Sequence, residues 1–162
     1  MSILEQLETE YKKYAEARGL SISLDELDSI FFIRDHVQKE GYVSTALGRM
    51  LSHRISETYY GWIQFLHRLI MPNGGSLIDI KESKLFEDKD AVIALFNKLV
   101  ELVSRNTLIG LNKDAKMEAQ FITDAVALWK TSNPELLKHV TAINTMWKSE
   151  KKESSQRVSY SG

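Results

Sequence analysis

The sequence predicts an all-α fold, a single-domain bundle of about six helices with a long third helix, and three observations carry that reading. Apolar residues recur at three-and-four spacing through most of the chain. Serine, aspartate or asparagine stands where these stripes begin, and glycine or proline where they end. No two segments alternate in a way that would pair them as strands. At 162 residues the chain can bury a core without disulfides, and it has no cysteine to make them.

The elements follow in order. Ser2 with Glu5 forms a capping-box signature, and Leu4, Leu7, Tyr11 and Tyr14 give the first helix its stripe up to Gly19. Ser23 with Glu26 repeats that signature, and Leu27, Ile30, Phe31 and Val37 carry a second helix to Gly41. The third runs from Ser44 to Met71 with Leu47, Leu51, Ile55, Tyr59, Trp62, Leu66, Leu69 and Ile70 on its core face. Gly48 and Gly61 each cost this helix about 1 kcal/mol relative to alanine, and each leaves room for a close neighbour.

Pro72-Asn73-Gly74-Gly75 is the strongest break, and Leu77-Ile78-Asp79-Ile80 reads as an extended connector. Asp88 or Asp90 starts a fourth helix with the stripe Val92, Leu95, Phe96, Leu99, Leu102 and Val103. Leu108–Leu111 reads as an apolar loop around Gly110. Asn112 or Asp114 caps a fifth helix that buries Met117, Phe121, Ile122, Ala125, Leu128 and Trp129. Asn133-Pro134-Glu135 opens a sixth, which carries Leu136, Leu137, Val140, Ile143 and Trp147. The helical domain thus covers residues 1–148, and the polar composition of 149–162 reads as a disordered tail.

Lysine plus arginine (21) nearly balance aspartate plus glutamate (22), so no global field draws the chain to phosphate or anionic lipid. The amino terminus lacks the basic start and apolar core of a secretory signal, and no apolar run approaches a membrane span. With cysteine absent, a soluble cytoplasmic protein is the expectation.

One constellation stands out. His53, Glu57, Tyr60, Gln64 and His67 recur three or four apart around the third helix from its core face, so they stack in one row. As a surface, the row suits an interaction or assembly module without catalysis, with a protein partner or a second copy forming a homodimer across a polar seam. Residues 33–54 also fit a helix-turn-helix template with its turn at Gly41. That template makes Ser44, Thr45, Arg49, His53 and Arg54 candidate contacts of a nucleic-acid-binding accessory protein. A small enzyme with His53, Glu57, Tyr60 and His67 supplying base, orienting group and proton donor is a third reading.

Against catalysis stand the missing nucleophile elbow, phosphate loop and dinucleotide fingerprint. Three helical pairs, His36 with Glu40, His53 with Glu57 and Glu135 with His139, place an imidazole near a carboxylate. The Glu-x-x-His spacing of diiron bundles is missing, so neither a metal nor any other cofactor is expected.

Overall fold

The computed structural model describes residues 1–72 and 76–159. Among them the chain is all-α, with seven helices and no strand. None of the described helices is long and apolar enough to cross a membrane. The turn expected at Asn73-Gly74-Gly75 lies outside the described residues. The helices gather into two compact units, Met1–Ile63 with Lys98–Trp129, and Gln64–Asn97 with the chain from Lys130 onward.

In the first unit, α1 (Ile3–Arg18) opens with the anticipated capping box. Ser2 Oγ accepts the Glu5 N–H at 3.2 Å, and the Glu5 carboxylate accepts the Ser2 N–H at 2.6 Å. Gly19 closes the helix in the left-handed conformation, with φ 65°. The expected second helix is in fact two, α2 (Leu24–Phe31) and α3 (Ile33–Glu40), separated at Phe32. Phe31 and Ile33 are both fully buried. Residues two apart on a continuous helix point about 200° away from each other, so one of the two would face water. A left-handed Phe32 (φ 54°, ψ 51°) turns the chain so that both reach the core, and leaves its own ring 56% exposed. Asp28 fixes the corner, accepting the Arg34 N–H at 2.8 Å and its guanidinium at 3.1 Å.

The long helix is α4 (Leu47–Ile70). Ser44 does not cap it within the first turn; its Oγ accepts the Ala46 N–H at 3.1 Å in the preceding bend. Leu47, Leu51, Ile55, Tyr59, Leu66 and Leu69 are buried as the stripe requires, Ile63 joins them, and Trp62 and Ile70 are half-buried. In the first unit, Phe31, Tyr59 and Trp129 meet ring to ring at 6.1–6.4 Å. The Tyr59 hydroxyl is satisfied inside by the Ala125 carbonyl. α6 (Lys89–Asn112) extends through Leu108–Leu111, which is helix and not the expected loop, because Ile109 continues the buried stripe one turn beyond Asn106. Lys113 is left-handed, and Asp114 caps α7 by accepting the Lys116 and Met117 N–H groups.

In the second unit, Leu77–Leu85 is a helix, α5, where the alternation suggested an extended connector. Ser76 Oγ accepts the Asp79 N–H at 3.2 Å and caps it. Its pattern is inverted. Asp79 and Ser83 are buried, while Leu77 and Ile78 are exposed. Each buried group has a partner, Arg68 for Asp79 at 3.4 Å and the Leu69 carbonyl for Ser83 at 3.0 Å.

Two expected helices are one, α7 (Ala115–Ser159), with Pro134 inside it. Proline has no N–H for the carbonyl of Lys130, a loss that normally breaks a helix. Burial on both sides outweighs it: Phe121, Ile122 and Ala125 anchor the helix in the first unit, Leu136 and Ile143 in the second. Residues 149–159, whose composition reads as a tail, continue α7, and Glu150 pairs with Lys81 of α5.

Candidate functional site

All five residues of the α4 row are exposed. The His53 and Glu57 side chains are 70% and 46% open to solvent, with His53 Nε2 3.3 Å from the Glu57 carboxylate. Arg54 donates to the other Glu57 oxygen at 3.3 Å. Tyr60 is 54% exposed, and His67 tilts against Phe96 with ring centroids 6.0 Å apart.

In the first unit the row adjoins a groove of about 500 Å³ between α3 and α4. Val37 and Met50 give it apolar surface, and His36, Glu40, Tyr42, Arg49, His53 and Glu57 supply its polar and aromatic lining.

The residues set out as nucleic-acid contacts divide. Ser44 lines the groove, while Thr45 and His53 are exposed. Both arginines turn inward. Arg49 donates to Asn106 at 3.1 Å, and Arg54 Nε donates to the Phe31 carbonyl at 2.9 Å. α3 does end at a left-handed Gly41, as the helix-turn-helix template requires. However, α4 does not begin until Leu47, a connection longer than the three or four residues of that motif.

The sequence reading missed a buried polar network in this same unit. Glu118 is only 8% exposed and accepts the Tyr14 hydroxyl at 3.2 Å. Burial pushes its carboxyl above the usual range, against the pull of Tyr14, Arg49 and Arg18. A side chain at position 48 would overlap the Glu118 carboxylate and press on the Tyr14 hydroxyl, so Gly48 makes the space that this pair occupies. Gly110 does the same for Arg49, whose guanidinium nitrogen would lie 3.1 Å from a Cβ there. Asn106, held by Arg49, donates in turn to Ser56 at 2.8 Å. Gly48 was the visible signal, since the sequence sets it inside a helix with room for a close neighbour, but nothing in the sequence said what approached it.

The second unit buries His139 to 2% exposure, edge to face with Phe86 at 5.4 Å between centroids. Its Nε2 has no hydrogen-bond partner, and burial holds the imidazole below its ordinary pKa, more than Asp88 and Glu135 raise it. The ring lines a cavity of about 220 Å³ with Phe86, Ile143 and Met146. Among the described residues no three histidine or acidic side chains come together as a metal site would need. No protein-family model, curated protein or solved structure matches this chain.

Proposed function

We propose that the protein is a non-catalytic interaction module that engages another protein surface through the exposed face of α4, in the cytoplasm. The observation that carries this reading is the exposure of His53, Glu57, Tyr60, Gln64 and His67 at helical spacing on one continuous helix. An exposed tyrosine amid polar groups has the make-up of an interface anchor, with area to bury and a hydroxyl to direct it. Nucleic acid is the weaker partner, because Arg49 and Arg54 spend donors inside the fold and Glu40 and Glu57 line the groove.

The test places a photo-cross-linking benzoylphenylalanine at position 60, and at exposed Lys148 as a control, in cells that make the protein. Adducts from position 60 that are missing from position 148, and lost when Gln64 and His67 become alanine, support the reading. Equal adducts from both positions, or salt-dependent binding of the purified protein to labelled DNA or RNA, would overturn it.

A further inference from the structure

In the second unit, the residues outside any helix, 86–88, join α5 to α6, and with one face of α7 they bound a cavity of about 220 Å³. His139, Ala142, Ile143 and Met146 recur three or four apart and so share that face. Beside the imidazole the side-chain walls are carbon and sulfur, from Phe86, Ala142, Ile143 and Met146. Ala142 contributes a single methyl group, where a larger side chain would fill the space. The charged residues of the lining, Glu87, Asp88 and Lys138, are all exposed, and Lys138 pairs with Asp88 at 3.3 Å, so charge lies at the mouth and not within.

His139 is the exception to those walls. It is 2% exposed, and its Nε2 has no hydrogen-bond partner in the protein. An unmatched buried nitrogen destabilises the fold that holds it, a loss that leucine at the same position would avoid. A water molecule does not remove the loss, because a buried water needs several polar partners and the side chains beside the ring offer none. Packing alone therefore does not account for a histidine here, whereas a ligand with one polar group does.

We infer that this cavity binds a small neutral aromatic ligand carrying one hydroxyl group, a phenol in class, with its ring against Phe86, Ile143 and Met146 and its hydroxyl on His139 Nε2. An apolar cavity of about 150 Å³ takes up benzene, so about 220 Å³ accommodates one ring with its hydroxyl. A flat ring suits an aromatic wall and a thioether. A hydroxyl both donates and accepts, so it matches Nε2 in either tautomer of the neutral imidazole. A charged ligand would lose its hydration against carbon walls without gaining a counter-charge, and burial holds the imidazole below its ordinary pKa, so it offers no positive charge to a carboxylate. Phe86 packs against the imidazole with 5.4 Å between centroids, but it stands at the C-cap of α5 outside any helix, so its ring can swing aside to admit the hydroxyl.

The test titrates the purified full chain with phenol, benzene and benzoate, followed by calorimetry and by the imidazole nitrogen resonances. Phenol binds saturably at about millimolar concentration, the range open to a ligand of so few atoms, and shifts the Nε2 resonance of His139. Benzene binds about fivefold more weakly for want of the hydrogen bond, and benzoate does not bind. His139→Leu removes the preference for phenol over benzene. Ala142→Leu abolishes binding of both with His139 in place and the helical circular dichroism unchanged. No saturable binding of phenol up to about 10 mM, benzene binding as tightly as phenol, or phenol binding that survives Ala142→Leu would each overturn the inference.

Discussion

The two units handle a buried ionisable group in opposite ways. In the first, Glu118 sits in a pocket made for it: Gly48 gives it room, Tyr14 donates to it, and Arg49 and Arg18 lie close enough to favour its charge. In the second, His139 is buried more deeply, and its Nε2 has no partner at all. A buried polar group that is partnered ties helices together, whereas an unpartnered one subtracts about 1–3 kcal/mol from the structure that holds it. The first unit thus surrounds its carboxyl with partners that offset part of the burial penalty, and the second holds an imidazole with nothing to offset it.

The largest expected effect comes from breaking the first arrangement. Gly48→Ala places a methyl group where the Glu118 carboxylate lies, and that buried carboxylate must swing away from the Tyr14 hydroxyl to make room. We expect a loss of about 2 kcal/mol in urea unfolding, from overpacking and a displaced buried hydrogen bond. If Glu118→Ala added to Gly48→Ala restores part of that loss, the overlap is its cause. Restoration of none would show that position 48 is constrained by something else.

Removing the unpartnered imidazole should act in the other direction. His139→Leu keeps a similar volume, fills the space between Phe86 and Ile143 with carbon, and should gain about 1 kcal/mol. The gain depends on pH with a definite sign. The unfolded imidazole takes up its proton near 6.5, while the buried one does so only at lower pH. His139 stability is therefore complete above pH 6.5 and drains away as pH falls through the folded value. Glu118 runs oppositely: its raised folded pKa makes its contribution complete below the ordinary 4.5 and lost as pH rises through the folded value. Hydrogen exchange followed by mass spectrometry, corrected for intrinsic rates, reads the units separately. Between pH 7 and 5 the advantage of His139→Leu should grow in peptides from Gln64–Asn97 and be absent from those of α1. A constant advantage would mean that the folded imidazole titrates normally.

How much of this was legible in the sequence follows from where polar groups lie. The stripes of α1, α4 and α6 needed only spacing, and Ser2, Gly19 and Gly41 bound α1 and α3 as expected, but the ends of α4 and α6 shift: α4 starts at Leu47 and α6 runs on to Asn112. α5 escaped because its buried face is Asp79 and Ser83, an inversion that no hydrophobic pattern shows. Phe32 and Pro134 escaped for complementary reasons. At Phe32 tertiary burial of its two neighbours breaks a locally acceptable helix; at Pro134 burial on either side preserves a locally forbidden one. The α4 row was readable as a row from its spacing, but the sequence left open whether it is buried, at an interface or solvated. The Glu118 network was not readable, because Tyr14 and Glu118 lie 104 residues apart.

The two glycines of α4 sharpen the comparison at smaller scale. Gly61→Ala restores helix propensity where nothing obstructs a methyl group, so the isolated chain should gain about 1 kcal/mol. The same substitution that damages the helix at position 48 should thus stabilise it at position 61, about three and a half turns later. Urea midpoints of the two variants test this directly. A loss at position 61 would show that the space beside it is occupied by its own chain.

The smallest effect belongs to Phe32, where two terms nearly cancel. A left-handed backbone at a residue other than glycine costs about 1–2 kcal/mol, which Phe32→Gly would relieve. Glycine also widens the unfolded ensemble by about 0.4–1 kcal/mol relative to a residue with a side chain. The ring, 56% exposed, gives up little burial when removed. The net should be a gain below about 1 kcal/mol, set by the backbone alone. Asp28→Ala provides the contrast: it leaves the strain in place but removes the acceptor of the Arg34 N–H that holds α3 at its angle, and should lose about 1 kcal/mol. If Phe32→Gly instead destabilises the chain, the exposed ring contributes packing that its accessibility does not reveal, and the corner is held by the side chain as well as by Asp28.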